Sequence, residues 1–557
     1  MSGSGGILNL ISQGNNNKIL LGNPSVNVFK AKYVKTRNFG KQAFRLDYDG
    51  SRDLRLTEPS TFQITIKRYA ELLLDTFLCV NLPDIWSPIY QPCAQTGYQW
   101  APYEFRWIDD IGSQIIQEVI VTSGSFIIGK YSGAYLSNVV SRDFSTEKKD
   151  LYNRSTGNTK ELNDPGNAFS RMNTYPSAYY TDPLLGGSEP SIRGRQLYIP
   201  INTWFTLNAQ CAFPLIAQQY NELVFTITLR PIQELFRVRD VFDFSNMFPY
   251  VQPDFNQPQF GMYRFLQTPP AVDISPASYA NMIQTWNSDI HLICDYIFLS
   301  EEDTVEFAQS DNVYLVRDVY EYLFENVVGT SKVRLLSNGL VANWMFYFQR
   351  NDINMRNEWS NYSNYPYDGQ PVDVVNAPAQ DPASQITSLN GKKQHLGPAV
   401  NADDTNTGIF ISGPLTPQNQ KEILQTMGIV LDGNYRENTL TSGYWNYVDK
   451  YMRSAGSARD GLYFYNFGLD TGKYQPTGGA INLSRFRTIE YEFTTYVPPV
   501  DNANSQQIIV CDTSGNPIAV YKSNWRLYDY TFNLIVQEER YNVLSFIGGY
   551  CGLMYAR

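Results

Sequence analysis

Between residues 487 and 496 the chain reads RTIEYEFTTY, in which Ile489, Tyr491 and Phe493 alternate with Thr488, Glu490, Glu492 and Thr494. A period of two turns successive side chains to opposite faces, so this stretch predicts a strand with one apolar and one polar face. Strand patterns recur at TFQITIKR (61–68), DTFLCVNLP (75–83) and NELVFTITLRP (221–231), while QEVIVTSGSFIIGKY (117–131) predicts a hairpin turning at Ser123-Gly124. The second half continues in the same style with DIHLICDYIFL, ANWMFYFQRND, GLYFYNFGL and YNVLSFIGGYCGLMYA.

Two short helices are predicted by their ends. Ser300 precedes EEDTVEFAQ with Asp303 three residues on, close to a capping box, and Thr416 precedes Pro417 with Gly428 as a stop. The stretches 145–192 and 360–412 are polar, with Gly, Pro and Asn but little periodicity, and read as long excursions from the sheets. Pro, Asn and Gln crowd 241–287, which suits a connecting arm. The organisation expected is an arm at 1–25, one β domain at 26–240, a linker at 241–285 and a second β domain at 286–557. YNELVF (220–225) and YNVLSF (541–546) share Tyr-Asn-x-Leu-x-Phe, each in the expected closing strand of its half, as two copies of one Greek-key sandwich would.

A chain of 557 residues exceeds one ordinary core, and 14% aromatic content, with 40 tyrosines, favours pleated surfaces and interfaces. Lys and Arg number 44 against 54 Asp and Glu, and no basic run is dense enough to neutralise a phosphate backbone, which argues against direct nucleic-acid binding. Cys79, Cys93, Cys211, Cys294, Cys511 and Cys551 stand singly, without the close pairs of zinc or dithiol motifs. MSGSGGILNLISQG lacks the cationic start of a secretory signal, and no apolar run approaches 18 residues; folding in a reducing cytosol is the expectation.

Chemistry is sparse. QPTGGAINLSRF (475–486) has a glycine pair but neither the Lys-Ser/Thr nor the helix of a phosphate cradle, so it reads as a turn into a strand. The two histidines, His291 and His395, cannot supply a cupin-type metal cluster, and no nucleophile elbow accompanies them. Asp109 and Asp110 could form a carboxylate pair. Glu301, Glu302 and Asp303 fit a first helical turn better than a cation site, and DDTNTG (403–408) lacks calcium-loop spacing. No catalytic, cofactor or metal residue is assigned, and no cofactor is expected. The sequons at Asn153, Asn361 and Asn482 read as ordinary loop asparagines, although Asn153 and Asn361 adjoin the excursions.

LGNPSVNVFKAKYVKTRNF (21–39), PSIRGRQLYIPINTWF, FPLIAQQYNELVFTITLRPIQELF, YIFLSEEDTVEFAQ, YFYNFGLDTGKYQPTGGAINLSRF and RYNVLSFIGGYCGLMYA together resemble, in order and spacing, the double jelly-roll major capsid proteins of nucleocytoplasmic large DNA viruses, mimivirus-like or chlorella-virus-like. Lys35-Thr36-Arg37 departs from the basic pair and histidine common there. The resemblance implies an all-β fold of two consecutive eight-stranded jelly rolls, with long loops and a few short helices, and no enzymatic role. It implies a homotrimer forming pseudo-hexagonal capsomers that tile an icosahedral shell, with neighbouring capsomers, minor capsid and penton proteins, and an internal viral membrane at the inner face as partners. The protein would be made in host cytoplasm and reside in the virion. The residues themselves leave two rivals open, a carbohydrate-binding β-sandwich and a jelly-roll enzyme.

Overall fold

A computed structural model describes residues 4–12, 14–31, 33–87, 89–90, 101–102, 104–171, 174–178, 184, 188–240, 249–270, 276–370, 374–376, 385–387, 393–395, 409–411, 420–472, 478–498, 507–511, 517–522 and 530–555. Eight strands organise the first half: β1 (Phe39–Asp47), β2 (Ser60–Thr65), β3 (Leu72–Leu82), β4 (Ile116–Ser123), β5 (Phe126–Ser132), β6 (Arg195–Pro200), β7 (Leu223–Leu229) and β8 (His291–Leu299). Antiparallel pairing orders them β1-β8-β3-β6 in one sheet and β2-β7-β4-β5 in the other. The second half has β9 (Asn312–Val327), β10 (Thr330–Arg334), β11 (Leu340–Arg350), β12 (Leu424–Leu431), β13 (Asn434–Thr441), β14 (Leu462–Asn466), β15 (Ile489–Thr495) and β16 (Phe532–Ile547). Its sheets run β9-β16-β11-β14 and β10-β15-β12-β13. Adding eight to every label converts one half into the other. Each half is therefore one jelly roll, its first strand beside its eighth and its second beside its seventh, and the molecule is an all-β double jelly roll.

The strand pattern produces this packing directly. Ile489, Tyr491 and Phe493 of β15 are buried while Glu490, Glu492 and Thr494 are only partly covered. They meet Trp344, Phe346 and Phe348 of β11 and Met427 and Ile429 of β12 in the second core. β7 alternates in the same way above the first core, against Phe62 and Ile64 of β2. Gly479, at φ +116°, lies beside Gly468, and Leu469 N donates to Gly478 O at 2.8 Å. The glycine pair thus serves a close backbone crossing before β15.

Three features differ from expectation. β8, read as the opening of the second half, pairs with β1 from Asp47↔His291 to Phe39↔Leu299, and with β3 on its other side. The eighth strand of a jelly roll inserts between the first and third, so sequence order misplaces it. In consequence YNELVF spans the start of a seventh strand and YNVLSF lies in an eighth, and their likeness joins non-equivalent strands. Within the linker, Phe260, Met262, Tyr263 and Phe265 are buried.

The helix expected to end at Gly428 is not present among the described residues, which are irregular at 420–423 and enter strand β12 at Leu424. Gly428 sits at a bulge, where a Cβ would come within 3.2 Å of Thr439 N, and Ile429, Val430 and Leu431 favour the pleat. Finally, two helices went unread: α1 (Gly133–Asp143) and α2 (Thr146–Thr156), capped by the hydroxyls of Ser132 and Ser145. The excursion at 145–192 thus begins as helix α2. The expected helix at Ser300 is present as α3 (Glu301–Gln309), with Ser300 Oγ accepting from Asp303 N at 3.4 Å.

Candidate functional site

The chemistry-bearing residues are held by structural partners. His291, Asp47 and Asp289 approach one another on the outer face of the first roll, and they form the only described group able to converge on a metal ion. Both carboxylates are taken up by guanidinium groups: Arg45 reaches Asp47 at 2.8 Å and Asp289 at 2.7 Å, and Arg52 reaches the same two at 3.1 and 3.0 Å. The Nδ1–H of His291 donates to the Asp289 carbonyl at 2.6 Å. Beside the Arg45 hydrogen bonds, both acids titrate below the usual carboxylate range. Such a set is an ion-pair network already neutralised by cations.

Asp109 and Asp110 do not act together. Asp109 takes Arg237 at 2.7 Å, while Asp110 takes Arg459 and Asn158. Asp303 accepts from Ser300 Oγ and, with Glu306, from Arg37, which ties the Lys35-Thr36-Arg37 segment to α3. Cys79, Cys211, Cys294 and Cys551 are buried free thiols. Asn361 is buried, its carbonyl accepting from Ser363 N and Oγ and its amide donating to Tyr365 O. Asn153 is part of α2, and exposed Asn482 accepts from Ser484 N. The side chain of His395, the DDTNTG stretch, Cys93 and the side chain of Cys511 lie outside the described residues.

What the fold does concentrate is a seam between the rolls. α1 follows β5 without a break and lies on the outer face of sheet β9-β16-β11-β14. Arg142 of α1 contacts Glu539 of β16 at 2.9 Å and Asn343 of β11 at 2.9 Å. Tyr135 Oη donates to Glu539 at 3.0 Å, and Asn138 donates to Gln537 at 3.2 Å. Arg317 of β9 completes the ring at 3.0 Å from Glu539. Burial opposes the charge on Glu539, but Arg142 and Arg317, with hydrogen bonds from Asn343 and Tyr135, hold its carboxyl down at about 2. Asp143 pairs with Arg142 at 2.7 Å, so two cations and two anions lie largely without water; they repay desolvation only in one geometry, and the cluster specifies how the rolls dock more than it stabilises them.

Apolar contacts flank this ring. Phe213 meets Phe546 edge-on at 5.2 Å, Trp204 meets Tyr314 at 6.1 Å, and Tyr220 stacks on Tyr550 at 5.1 Å. Gly549, at φ +84°, accepts from Gln219 N and Tyr220 N, and a Cβ there would strike both residues at 2.9 Å. On the far side the stretch 357–364, whose last residues open the second expected excursion, is mostly buried against the first half, with Trp359 Nε1 donating to Glu234 O at 3.0 Å. The signal missed in the sequence is QEER (537–540), a charged run inside the apolar strand FNLIVQEERYNVLSFI. A charge run within a strand reads as a solvated edge, yet here a helix from the other roll covers it.

Comparison with known proteins agrees with the architecture. Residues 27–300 match the family model described as major capsid protein N-terminus, and residues 304–552 match that of the large eukaryotic DNA virus major capsid protein. The major capsid protein of Phaeocystis pouchetii virus is 22% identical over 598 aligned residues, covering 99% of this chain and 100% of that protein. That of Paramecium bursaria Chlorella virus 1 is 22% identical over 553, again covering 99% and 100%. Among solved structures, the quasi-atomic PBCV-1 virus capsid superposes with TM-score 0.57 at 18% identity, over 95% of this chain and 100% of that one. The Faustovirus major capsid protein superposes with TM-score 0.56 at 11% identity, over 93% and 92%.

Proposed function

The chain belongs to the major capsid proteins of large eukaryotic DNA viruses, and on that premise we propose that three copies close about a threefold axis into a capsomer with six similar walls. The observation that carries this reading is the repeated connectivity, β1-β8-β3-β6 with β2-β7-β4-β5, then the same order eight strands later. Two copies of one roll in one chain let a cyclic trimer approximate a hexagon, which tiles a curved shell. We take the first roll to end near residue 299, where β8 closes its sheet. The buried seam supports a rigid pair of rolls rather than two domains on a hinge.

The protein's role in this reading is structural, with no reaction catalysed; the arginine pairing of Asp47 and Asp289 and the separate partners of Asp109 and Asp110 support that. The exposed apolar residues of the segment before β1, among them Ile7, Leu10, Val28 and Phe29, suit contact with minor capsid proteins or a membrane beneath the shell. Assembly in host cytoplasm fits the buried free thiols. Averaged electron micrographs of the purified protein test the reading: a hexagonal outline with threefold symmetry is expected, and particles the size of one chain would refute it.

A further inference from the structure

The first roll holds the second through a helix that leaves its fifth strand without a gap. The second roll carries a helix at the same point: β13 ends at Thr441, and the chain enters a π turn, Tyr444–Val448, then a helix, Asp449–Arg453. Counting from the last residue of each fifth strand, Tyr444, Tyr447, Val448 and Tyr451 stand where α1 has Tyr135, Asn138, Val139 and Arg142. The α1 residues Asn138, Val139 and Arg142 are 1%, 1% and 0% exposed under the seam, whereas Tyr447, Val448 and Tyr451 are 56%, 41% and 90% exposed. Met452 beside them is 52% exposed. A tyrosine-rich ridge thus lies open at the position that the first roll uses for docking.

The sheet that receives α1 has an equivalent as well. In the first roll it is β1-β8-β3-β6, whose core-facing residues include Leu46, Leu292, Leu78 and Leu197. The alternate residues form cross-strand rows on the outer face, Asp47, His291, Cys79 and Tyr198, then Arg45, Ile293, Phe77 and Pro200. Arg45, Asp47 and Tyr198 there are open to solvent. The second roll buries its corresponding face under α1; in the first roll the edge-strand residues Arg45, Asp47 and Tyr198 stay exposed, while His291 and Cys79 between them are buried.

We propose that the 444–453 helix of one copy docks on the outer face of β1-β8-β3-β6 in the next copy, repeating between chains the contact that α1 makes within one. This rests on the trimer reading and specifies its interface. The contact is heterologous, joining a second roll to a neighbour's first, and three repetitions close a ring in which every roll passes its helix to the next. The chemistry matches: phenol rings stack on guanidinium groups such as Arg45 and Arg52, and their hydroxyls donate to carboxylates as Tyr135 does to Glu539. Tyr and Arg are also the residue types that dominate interface energetics.

The test uses full-length protein, with mass read by light scattering after size exclusion across a dilution series. The double variant Tyr447→Ser/Tyr451→Asp and, on the opposite surface, Tyr198→Asp should each weaken self-association by about 30-fold or more, the loss expected for a hot spot. Phe126→Asp, at an exposed hairpin tip on the other sheet of the first roll, should leave the mass unchanged. Circular dichroism identifies any variant that fails to fold; should the double variant fail, Tyr198→Asp alone decides. Wild-type protein at threefold mass with the folded interface variants unchanged overturns this inference and leaves the trimer standing, whereas monomeric wild-type protein strikes the trimer itself.

Discussion

Arg142 Nη2 on α1 lies 2.9 Å from the Glu539 carboxylate on β16, with both side chains fully excluded from solvent. One residue comes from the first roll and the other from the second, so this pair couples the two halves. Its energetic signature differs from that of a surface bridge, since removing Arg142 leaves the Glu539 carboxylate and Asp143 short of a cation in a site without water.

Arg142→Leu is therefore expected to destabilise the protein by about 3–5 kcal/mol. Arg154→Leu, which breaks the exposed pair with Asp150 on α2, should cost no more than about 0.5 kcal/mol. Urea unfolding followed by tryptophan fluorescence separates the two, and equal midpoints for both variants would remove the seam from the account.

Acid should act on the same group. The Glu539 carboxyl is held at about 2 in the folded protein against 4.5 for a free side chain. A depressed value means that its contribution is complete above about pH 4.5 and is lost as pH falls toward 2. Glu539→Gln should lose stability at pH 7 and show a shallower further loss between those limits. Parallel stability curves for wild type and variant across that window would contradict this.

Asp449 predicts the opposite sign. Burial pushes its carboxyl up to about 6, and its Oδ2 is buried without a hydrogen-bond partner among the described residues. The folded state binds the proton more tightly there, so a destabilising cost appears as pH rises from 3.8 to 6 and persists above. Asp449→Asn should raise the melting temperature at pH 8 and leave it unchanged at pH 3.5. A variant that melts alike or earlier at pH 8 refutes the assignment.

Core and surface can be told apart by one substitution each. Ile489→Asp places an unpaired charge in the second core and should abolish soluble folded protein, while Leu151→Asp on the exposed side of α2 should not. Comparable yields would overturn the strand register of β15.

The strands were readable where one face is dry and the other wet, as in β15, because burial then writes a period of two into the chain. α1 was not, since Asn138 and Arg142 point into protein rather than water and erase the amphipathic contrast that marks a helix. The same cause hid Glu539, whose partners Tyr135 and Arg142 lie about four hundred residues away on the first roll. The misplacement of β8 has a different origin. Nothing in a strand's own residues tells whether it pairs forward or back, and the jelly roll sends its last strand back beside its first.

A capsomer subunit, unlike an independent module, commits surface to its neighbours. Obligate interfaces commonly bury roughly 2,000–5,000 Å², and a chain that keeps Tyr447, Tyr451 and Met452 exposed has apolar surface to commit to one. The most direct measurement is the mass of the purified protein by light scattering at micromolar concentration. Three copies of a 63.6 kDa chain predict about 191 kDa, and a concentration-independent mass of 63.6 kDa would contradict the account.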